Sequence, residues 1–348
     1  MLPNRFIRSA TCSYFTDDQG TILPSVIELY QNLAKGGVGL IIKGHLYVHD
    51  SGRAHRGMAG ISHDGHLPGL RALTQAVHNA EGLIFAQLNH AGLNSYVDRA
   101  GPSEYVRDSW KGRALSLHEI EMIIEAFGTA ADRAIRAGFD GVQIHGAHGY
   151  LISQFLSRLT NRRTDSWGGS LEKRMRFLFT VYDEVRARLR SHIPVLLKMN
   201  CDDFSPNGFT IDDSVRVAKA ICRRGLDGLE ISGGGIGEQN TLRIRAASTN
   251  PVLAEASFAG YAQQIREQVQ PTPVALVDGI RTRTCMDTVI DHKVADLISM
   301  CRPFIMEPAL VQQLASGQIA SSCTTCGACH ARDASGSTLI HCPPSSFQ

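Results

Sequence analysis

The sequence has no long hydrophobic run and almost no net charge. No apolar stretch reaches the roughly 18 residues of a membrane-spanning helix, so no membrane association is expected. The 35 basic and 33 acidic residues leave a formal charge of +2, which disfavours the concentrated positive surface of a nucleic-acid-binding protein. The N-terminus, MLPNRFIRSATC, lacks the basic stretch and apolar core of a secretory signal, and this predicts a cytoplasmic protein with reduced cysteines.

The composition is typical of a folded globular protein. Hydrophobic residues make up 43% of the chain and charged residues 20%, which excludes the low hydrophobicity and high net charge of a disordered chain. A length of 348 residues suits either two ordinary domains or one large α/β barrel.

Short apolar runs alternate with longer stretches of helical periodicity. The eight runs are residues 5–11, 38–44, 82–88, 141–146, 194–200, 228–234, 273–279 and 295–301. The candidate helices are residues 24–36, 66–80, 116–137, 170–191, 210–224, 257–270, 281–292 and 307–316, and Ser116 with Glu119 forms a capping-box pattern. Eight apolar strands, each followed by a helix, predict a (β/α)8 TIM barrel over residues 1–316. Residues 317–348 are predicted to form a cysteine-rich extension.

Polar residues follow the predicted strands. In such a barrel the chemistry lies at the C-terminal ends of the strands. These ends carry Thr11, Cys12, Lys43, Gly44, His45, Gln87, His90, His145, His148, Lys198, Asn200, Gly233, Gly234, Gly235, Asp278, Gly279, Cys301 and Arg302. Each of them alone is more often an ordinary loop residue, but their occurrence at eight strand ends indicates a functional site.

The last two strands carry a phosphate-binding pattern. A glycine turn leads into a helix at DGIRT, and an arginine precedes a proline at CRPF. Backbone N–H groups and a guanidinium group are suitable partners for a phosphate, and barrels often bind phosphate at their final two loops.

The longest distinctive segment is GFDGVQIHGAHGYLISQFLSRLTNRRTDSWGGSLEKRMRF, residues 138–177. With it, the chain from NRFIRSAT to RPFIMEPALV resembles the FMN-dependent Old Yellow Enzyme family, also described as NADH:flavin oxidoreductases. The resemblance implies FMN as cofactor and NAD(P)H as reductant. It also implies an ene-reductase that reduces the C=C bond of an α,β-unsaturated carbonyl substrate, such as an enone, enal or enoyl thioester.

The resemblance assigns the substrate site to HGAHGYL. His145 and His148 match the pair that hydrogen-bonds the substrate carbonyl oxygen, and Tyr150 matches the proton donor. Tyr14 falls where some members place a tyrosine over the substrate. Two imidazole donors would stabilise the enolate-like charge that develops during hydride transfer, and a phenol can act as a general acid.

The same resemblance implies the cofactor contacts. Lys198 matches the cation near flavin N1, and Gln87 matches the glutamine that hydrogen-bonds the flavin pyrimidine. Gly44 and His45 fall where the family makes a backbone contact to the flavin. The full set is Ser9, Ala10, Thr11, Cys12, Gly44, His45, Gln87, Lys198, Gly279, Cys301 and Arg302.

The chain departs from the family pattern at several positions. Many members have glycine in place of Cys301 and two glycines in place of Asp278 and Gly279. Lys198 replaces an arginine, which keeps the charge but loses the bidentate geometry. We also expect the short lead-in before NRF to be absent. Cys12 is interpreted either as a redox tuner or as a small packing residue.

Four cysteines near the C-terminus have metal-site spacing. Cys323, Cys326, Cys329 and Cys342 form C-x2-C-x2-C-x12-C, which suits either a [4Fe–4S] cluster or a zinc ion. The spacing resembles the cluster motif after the same barrel in trimethylamine dehydrogenase and 2,4-dienoyl-CoA reductase, and His330 and His341 are interpreted as bystanders. The second flavin and nucleotide domain of those larger relatives is expected to be absent.

Two other functions stay open at this point. The cysteine motif also suits an amine dehydrogenase or demethylase like trimethylamine dehydrogenase, or a flavin electron-transfer subunit. The histidine pair favours a carbonyl substrate, since a quaternary-like amine would need an aromatic cage and aromatic residues make up only 7% of the chain. We expect a homo-oligomer, and a cluster would imply an electron-transfer partner protein.

Overall fold

The computed structural model describes residues 2–11, 16–107, 110–236, 251–330 and 342. The strands there are β1 Phe6–Thr11, β2 Leu40–Tyr47, β3 Ile84–Asn89, β4 Ala100–Gly101, β5 Tyr105–Arg107, β6 Trp110–Ala114, β7 Gly141–Gly146, β8 Val195–Asn200, β9 Gly228–Ser232, β10 Val274–Val277 and β11 Leu297–Met300. The α-helices are α1 Pro24–Lys35, α2 Leu67–His78, α3 Leu117–Arg136, α4 Leu151–Leu156, α5 Leu171–Arg188, α6 Ile211–Cys222, α7 Ala259–Val269, α8 Arg283–Asp291, α9 Arg302–Met306 and α10 Leu310–Ala315.

Parallel strands close into a barrel. The order around it is β1-β11-β10-β9-β8-β7-β3-β2, and β1 closes the ring by pairing Phe6 with Ile298 of β11. The barrel strands are buried on both faces, against the helices outside and against one another inside, which explains their nearly continuous apolar sequences. The predicted (β/α)8 barrel is therefore confirmed.

Side-chain caps begin several of the surrounding helices. Ser116 and Glu119 form the predicted capping box of α3. Ser170, Thr210 and Thr282 cap α5, α6 and α8 by accepting a backbone N–H from the first turn, which satisfies donors that the helix leaves free. Within the described ranges, no helix is long and apolar enough to cross a membrane.

The barrel interior changes from apolar to polar along its axis. The apolar end is filled by a cluster of Ile7, Leu40, Ile42, Phe85 and Ala275. Inward-facing side chains recur at every second residue of a strand, so the next inward positions after Ile7 and Phe85 are Ser9 and Gln87, both buried. The polar layer therefore lies towards the C-terminal ends of the strands.

A small sheet between β3 and α3 was not predicted. Its strands have the order β4-β6-β5, and Tyr105 to Arg107 pairs antiparallel with Trp110 to Gly112. Strands of two to five residues are too short to give a clear alternating pattern, so the sequence predicted no strand there.

The segment before the cysteines is bound to the barrel. Ala320 forms a β-bridge with Thr282, and the backbone N–H of Arg283 donates to the carbonyl oxygen of Ile319 at 2.8 Å. The Ser321 N–H donates to the carbonyl oxygen of Arg281 at 2.8 Å. The cysteine-bearing segment is therefore anchored to the loop between β10 and α8.

Candidate active site

A buried ion pair forms the polar floor of the site. Lys198 Nζ lies 3.3 Å from Glu230 Oε2 and donates to Ser9 Oγ at 2.7 Å. The Glu230 carboxylate also accepts from Ser9 Oγ at 2.6 Å, Ser299 Oγ at 2.6 Å and Gln143 Nε2 at 2.8 Å. Strands β1, β7, β8, β9 and β11 each contribute one residue, so the network ties most of the barrel together.

Glu230 stays ionised in this network. Burial alone would raise the pKa of its carboxyl group, but the positive charge of Lys198 and the three hydrogen-bond donors outweigh it and hold the pKa below its usual value. A buried charge is tolerated only with such compensation. The floor is therefore a compensated pair, in which Lys198 presents its cation beside a fixed anion.

The backbone packs closely around Gly44, beside the floor. Gln87 Nε2 donates to Gln143 Oε1 at 2.7 Å, and a Cβ atom on Gly44 would lie 2.3 Å from Ala10 Cβ and 3.0 Å from Gln87 Oε1. Only glycine fits at that position. The structure thus brings together five of the predicted cofactor residues: Ser9, Ala10, Gly44, Gln87 and Lys198.

The predicted substrate residues also meet. The His145 ring centroid lies 5.1 Å from that of His148 and 5.0 Å from that of Tyr150, both in edge-to-face arrangements. His145 is 4% exposed, and its Nδ1 is buried without a hydrogen-bond partner among the described residues. A buried polar atom without a partner is costly, and it marks the place where a ligand atom would bind.

Both imidazoles are neutral at pH 7. Burial, followed by the charges of His148, His45 and Lys198, lowers the pKa of His145 well below its usual value. Burial, followed by Lys198, lowers the pKa of His148 to about 3, and Glu230 opposes this only in part. A neutral imidazole carries one N–H donor and one acceptor nitrogen, so each ring can donate one hydrogen bond.

The turn after β7 fixes the orientation of His148. Its φ of +59° is in the left-handed region, which residues other than glycine rarely adopt. The backbone N–H of His148 donates to Asn200 Oδ1 at 3.0 Å, and its Nε2 lies 2.7 Å from Ser232 Oγ. Residues at the ends of β8 and β9 therefore hold this ring.

His45 contributes its side chain to the site, whereas the sequence predicted only a backbone contact. Its ring centroid lies 5.0 Å from that of Tyr150 and 5.9 Å from that of His145. Asn89 Nδ2 lies 2.7 Å from His45 Nδ1, so Nδ1 accepts this hydrogen bond and Nε2 carries the hydrogen. Sequence reasoning missed both Asn89 and this third imidazole.

A bulge explains the position of His45. Gly44 faces the inside of the barrel, so strict alternation along β2 would point the side chain of His45 outside. The pairing of β2 with β3 instead shifts register between Lys43 and Leu46. Such a bulge changes the direction of a side chain. No pattern in the sequence indicated it.

The two predicted phosphate loops lie side by side. Arg302, the first residue of α9, donates from Nη2 to Asp278 Oδ1 at 3.0 Å. Gly279 has a φ of +79°, and a Cβ atom there would lie 1.6 Å from the carbonyl oxygen of Glu255. Cys301 immediately precedes α9 and is partly buried. Gly279, Cys301 and Arg302 are thus placed at the ends of neighbouring strands.

A family model matches residues 1–320, described as the NADH:flavin oxidoreductase / NADH oxidase family. The chain belongs to this family. The match covers the whole barrel. The polar floor and the three imidazoles of His45, His145 and His148 therefore lie within the part of the chain that the family model matches.

Two family relatives differ in how much of their own length the chain matches. It is 31% identical over 328 residues to an NADH oxidase of Thermoanaerobacter brockii, covering 91% of this chain but 49% of that protein. It is 33% identical over 318 residues to an NADPH dehydrogenase of Halalkalibacterium halodurans, covering 88% of each. The chain therefore spans about half the length of one relative and most of the other.

The fold matches solved structures of the family. An old yellow enzyme homologue from Zymomonas mobilis superposes with a TM-score of 0.77 at 26% identity, covering 98% of this chain and 96% of that one. This agrees with the resemblance to the Old Yellow Enzyme family that residues 138–177 indicated.

The cysteine segment lies against the phosphate loops. Cys323 and Cys329 are buried, Cys326 is exposed, and Arg281 Nη1 donates to the Cys323 carbonyl oxygen at 3.5 Å. Burial, followed by the neighbouring thiols of Cys323 and Cys326, raises the pKa of Cys342. Among the described residues, no group of three metal-ligating side chains is close enough to hold a single metal ion. The predicted metal site is not confirmed and stays a prediction.

The remaining predicted residues have mixed outcomes. Thr11 ends β1 and donates from Oγ1 to the Ser9 carbonyl oxygen at 3.0 Å. His90 is held through both ring nitrogens, Nε2 by Ser51 Oγ at 3.0 Å and Nδ1 by the Gly92 N–H at 3.1 Å, so it is a structural loop residue. Cys12, Tyr14 and His341 lie outside the described part of the chain.

Proposed function

We propose that this chain is an FMN-dependent NAD(P)H oxidoreductase that reduces the C=C bond of an α,β-unsaturated carbonyl compound, such as an enone, enal or enoyl thioester. The observation that carries the proposal is the buried, unpartnered Nδ1 of His145 beside the Tyr150 ring. A donor and an acid side by side are what the reduction of a polarised C=C bond requires.

The residues of the floor fit a flavin. Gly44 packs against Ala10 and Gln87 with no room for a side chain, so nothing at this position would obstruct a flavin, and Gln87 would contact the ring through its amide. Lys198 would lie near flavin N1, where it would stabilise the negative charge of the reduced ring. Bound FMN would supply the hydride, while the protein supplies binding, orientation and charge.

The imidazoles would bind the substrate carbonyl oxygen. With its hydrogen on Nδ1, His145 would donate to that oxygen. For His148 to donate from Nδ1 as well, Ser232 must donate its hydroxyl hydrogen to Nε2, which the 2.7 Å separation allows. His145 is buried, so its hydrogen bond would act in a low-dielectric site and strengthen as the oxygen gains charge. His148 is exposed, and Asn200 and Ser232 hold it in place for the second donation.

Tyr150 would protonate the substrate α-carbon. Tyr150→Phe removes only the hydroxyl group, so we expect the reoxidation of reduced flavin by 2-cyclohexenone to slow by about 10²–10⁴-fold. Flavin reduction by NAD(P)H should stay unchanged. Stopped-flow absorbance of the two half-reactions measures both rates, and an equal loss in both would exclude the acid role.

The alternative functions are separated by one experiment. The holoprotein is reduced anaerobically with NADPH, and 2-cyclohexenone or trimethylamine is then tested in separate samples of the reduced and the oxidised protein. Reoxidation by the enone supports the ene-reductase. Reduction of oxidised flavin by trimethylamine would indicate an amine dehydrogenase, and no response to either compound would indicate an electron-transfer subunit.

We propose that Cys323, Cys326, Cys329 and Cys342 bind a [4Fe–4S] cluster, with zinc as the alternative. Backbone and side-chain hydrogen bonds, together with Arg302, lower the pKa of Cys326, and a thiolate is the metal-binding form. Cys323, Cys326 and Cys329 lie on the segment that is anchored to the loop between β10 and α8.

Metal analysis tests this site. The wild-type protein, purified anaerobically, should contain about four iron and four sulfide per chain. Cys326→Ser should lose most of both, and Cys222→Ser, a substitution at the end of α6, should lose neither. Zinc without iron would contradict the cluster, and no metal at all would contradict both assignments.

Three further features stay predictions. They are the cytoplasmic location, the homo-oligomeric state and an electron-transfer partner for the cluster. We propose no nucleic-acid or membrane partner.

A further inference from the structure

The loop after β10 has a carboxylate at a position suited to glycine. Asp278 has a φ of +94°, a left-handed conformation that costs an L-residue free energy and that glycine adopts readily. Gly279 follows with a φ of +79° and has no room for a side chain. Two successive residues therefore have positive φ, and one of them keeps an acidic side chain despite the strain.

The Asp278 carboxylate is bound to the arginine assigned to the phosphate. Arg302 Nη2 donates to Asp278 Oδ1 at 3.0 Å, through a single contact, with side-chain exposures of 27% for Arg302 and 40% for Asp278. The nearby Arg281 is also paired, since its Nε lies 3.4 Å from Glu255 Oε2. Each of these two arginines thus has a carboxylate partner within the chain.

We propose that Asp278 competes with the flavin phosphate for Arg302. This inference rests on the proposed FMN binding and deepens it. A phosphate monoester carries a charge of about −1.5 to −2 near pH 7 and binds a guanidinium group through two parallel hydrogen bonds, whereas Asp278 makes one. The phosphate therefore displaces the carboxylate, which stays nearby as a repelling charge.

The consequence is an FMN affinity set in part by Asp278. The carboxylate stabilises Arg302 in the empty site and repels the phosphate in the filled one. Both effects weaken FMN binding, and neither acts on riboflavin, which has the same ring but no phosphate. Asp278 is thus a determinant of how strongly the phosphate contributes to flavin retention.

Flavin titrations of the full-length chain test the competition. The flavin is removed, and FMN or riboflavin is added while flavin fluorescence is followed. Asp278→Asn keeps the size of the side chain and removes its charge, so we expect the Kd for FMN to fall about three- to tenfold and the Kd for riboflavin to stay constant. The difference in FMN affinity should shrink as salt rises.

Two further variants complete the test. Asp287→Asn removes an exposed acid on α8 that pairs with Arg283, and it should leave both affinities unchanged. Asp278→Gly removes both the charge and the strained conformation, so it should bind FMN at least as tightly as Asp278→Asn. If Asp278→Asn does not fold, the glycine variant still tests the competition, because its FMN affinity should rise while its riboflavin affinity stays constant.

The outcomes separate this inference from the proposed function. Weaker or unchanged FMN binding in the Asp278 variants would overturn the competition, and weaker binding would mean that Asp278 positions Arg302 for the phosphate. An equal gain for FMN and riboflavin would also overturn it. A wild-type chain that binds neither flavin would overturn the proposed FMN dependence, and the competition with it.

Discussion

Replacing His145 and His148 together by alanine is expected to slow the reoxidation of reduced flavin by 2-cyclohexenone by more than about 10²-fold, because the loss of one oxyanion donor alone costs about that much. FMN should stay bound, since the Lys198–Glu230 pair and Gly44 lie on other strands. Stopped-flow absorbance gives the rate, and the ratio of flavin to protein absorbance gives the occupancy.

A matched control removes an imidazole from the surface. His118 is exposed on α3, so His118→Ala should leave both the rate and the occupancy unchanged. If the double variant lost its flavin, the two histidines would belong to the cofactor site, and their assignment to the substrate would be wrong.

Lys198→Met is expected to have the largest effect on stability. It leaves the Glu230 carboxylate buried without a counter-ion, and breaking a buried pair in this way costs about 3–5 kcal/mol of unfolding free energy. Lys198→Met combined with Glu230→Gln removes both charges, so it should recover most of that loss. Urea denaturation followed by circular dichroism measures the difference.

The pH dependence gives the same prediction a second test. In the wild type the pKa of Glu230 lies below its usual value, so this group stabilises the fold above the unfolded pKa of about 4.3 and less as pH falls through the folded pKa. Without Lys198, burial should raise the folded pKa above the unfolded one, and the ionised group then destabilises the fold at pH 7. The loss of unfolding free energy caused by Lys198→Met should therefore be smaller at pH 5 than at pH 7. A deficit under about 1 kcal/mol at pH 7 would contradict the buried pair.

The sequence allowed the barrel to be predicted from its repeated apolar runs, and it allowed the group of His145, His148 and Tyr150 to be predicted from the resemblance of HGAHGYL to the family. Apolar runs of six or seven residues mark the strands, and the end of β7 with the turn after it carries His145, His148 and Tyr150 within six residues. Local spacing is enough to bring these side chains together once β7 is known to end at Gly146.

The counter-ion of Lys198 was missed although a signal for it was present. Glu230 lies inside the apolar run GLEISGG, and a carboxylate buried in a strand requires a cation or several donors. Lys198 was assigned to the flavin alone, so the pair was not considered. The hydroxyl donors to Glu230, Ser9 and Ser299, lie on strands that are far from β9 in the sequence. No local pattern relates these positions.

The side chain of His45 could not have been predicted. Its direction depends on the bulge between Lys43 and Leu46, and the bulge follows from how β2 pairs with β3. The ion pair between Asp278 and Arg302 likewise joins two loops that are 24 residues apart. Such contacts are set by tertiary packing, whereas the spacing of residues along one strand is visible in the sequence.

The most direct test of the proposed function is the anaerobic reaction of the reduced, FMN-loaded protein with 2-cyclohexenone. We expect the absorbance of oxidised flavin to return fully, with one cyclohexanone formed for each flavin reoxidised. A flavin that stays reduced in the presence of excess enone, in a protein that NADPH reduces normally, would contradict the assignment as an ene-reductase.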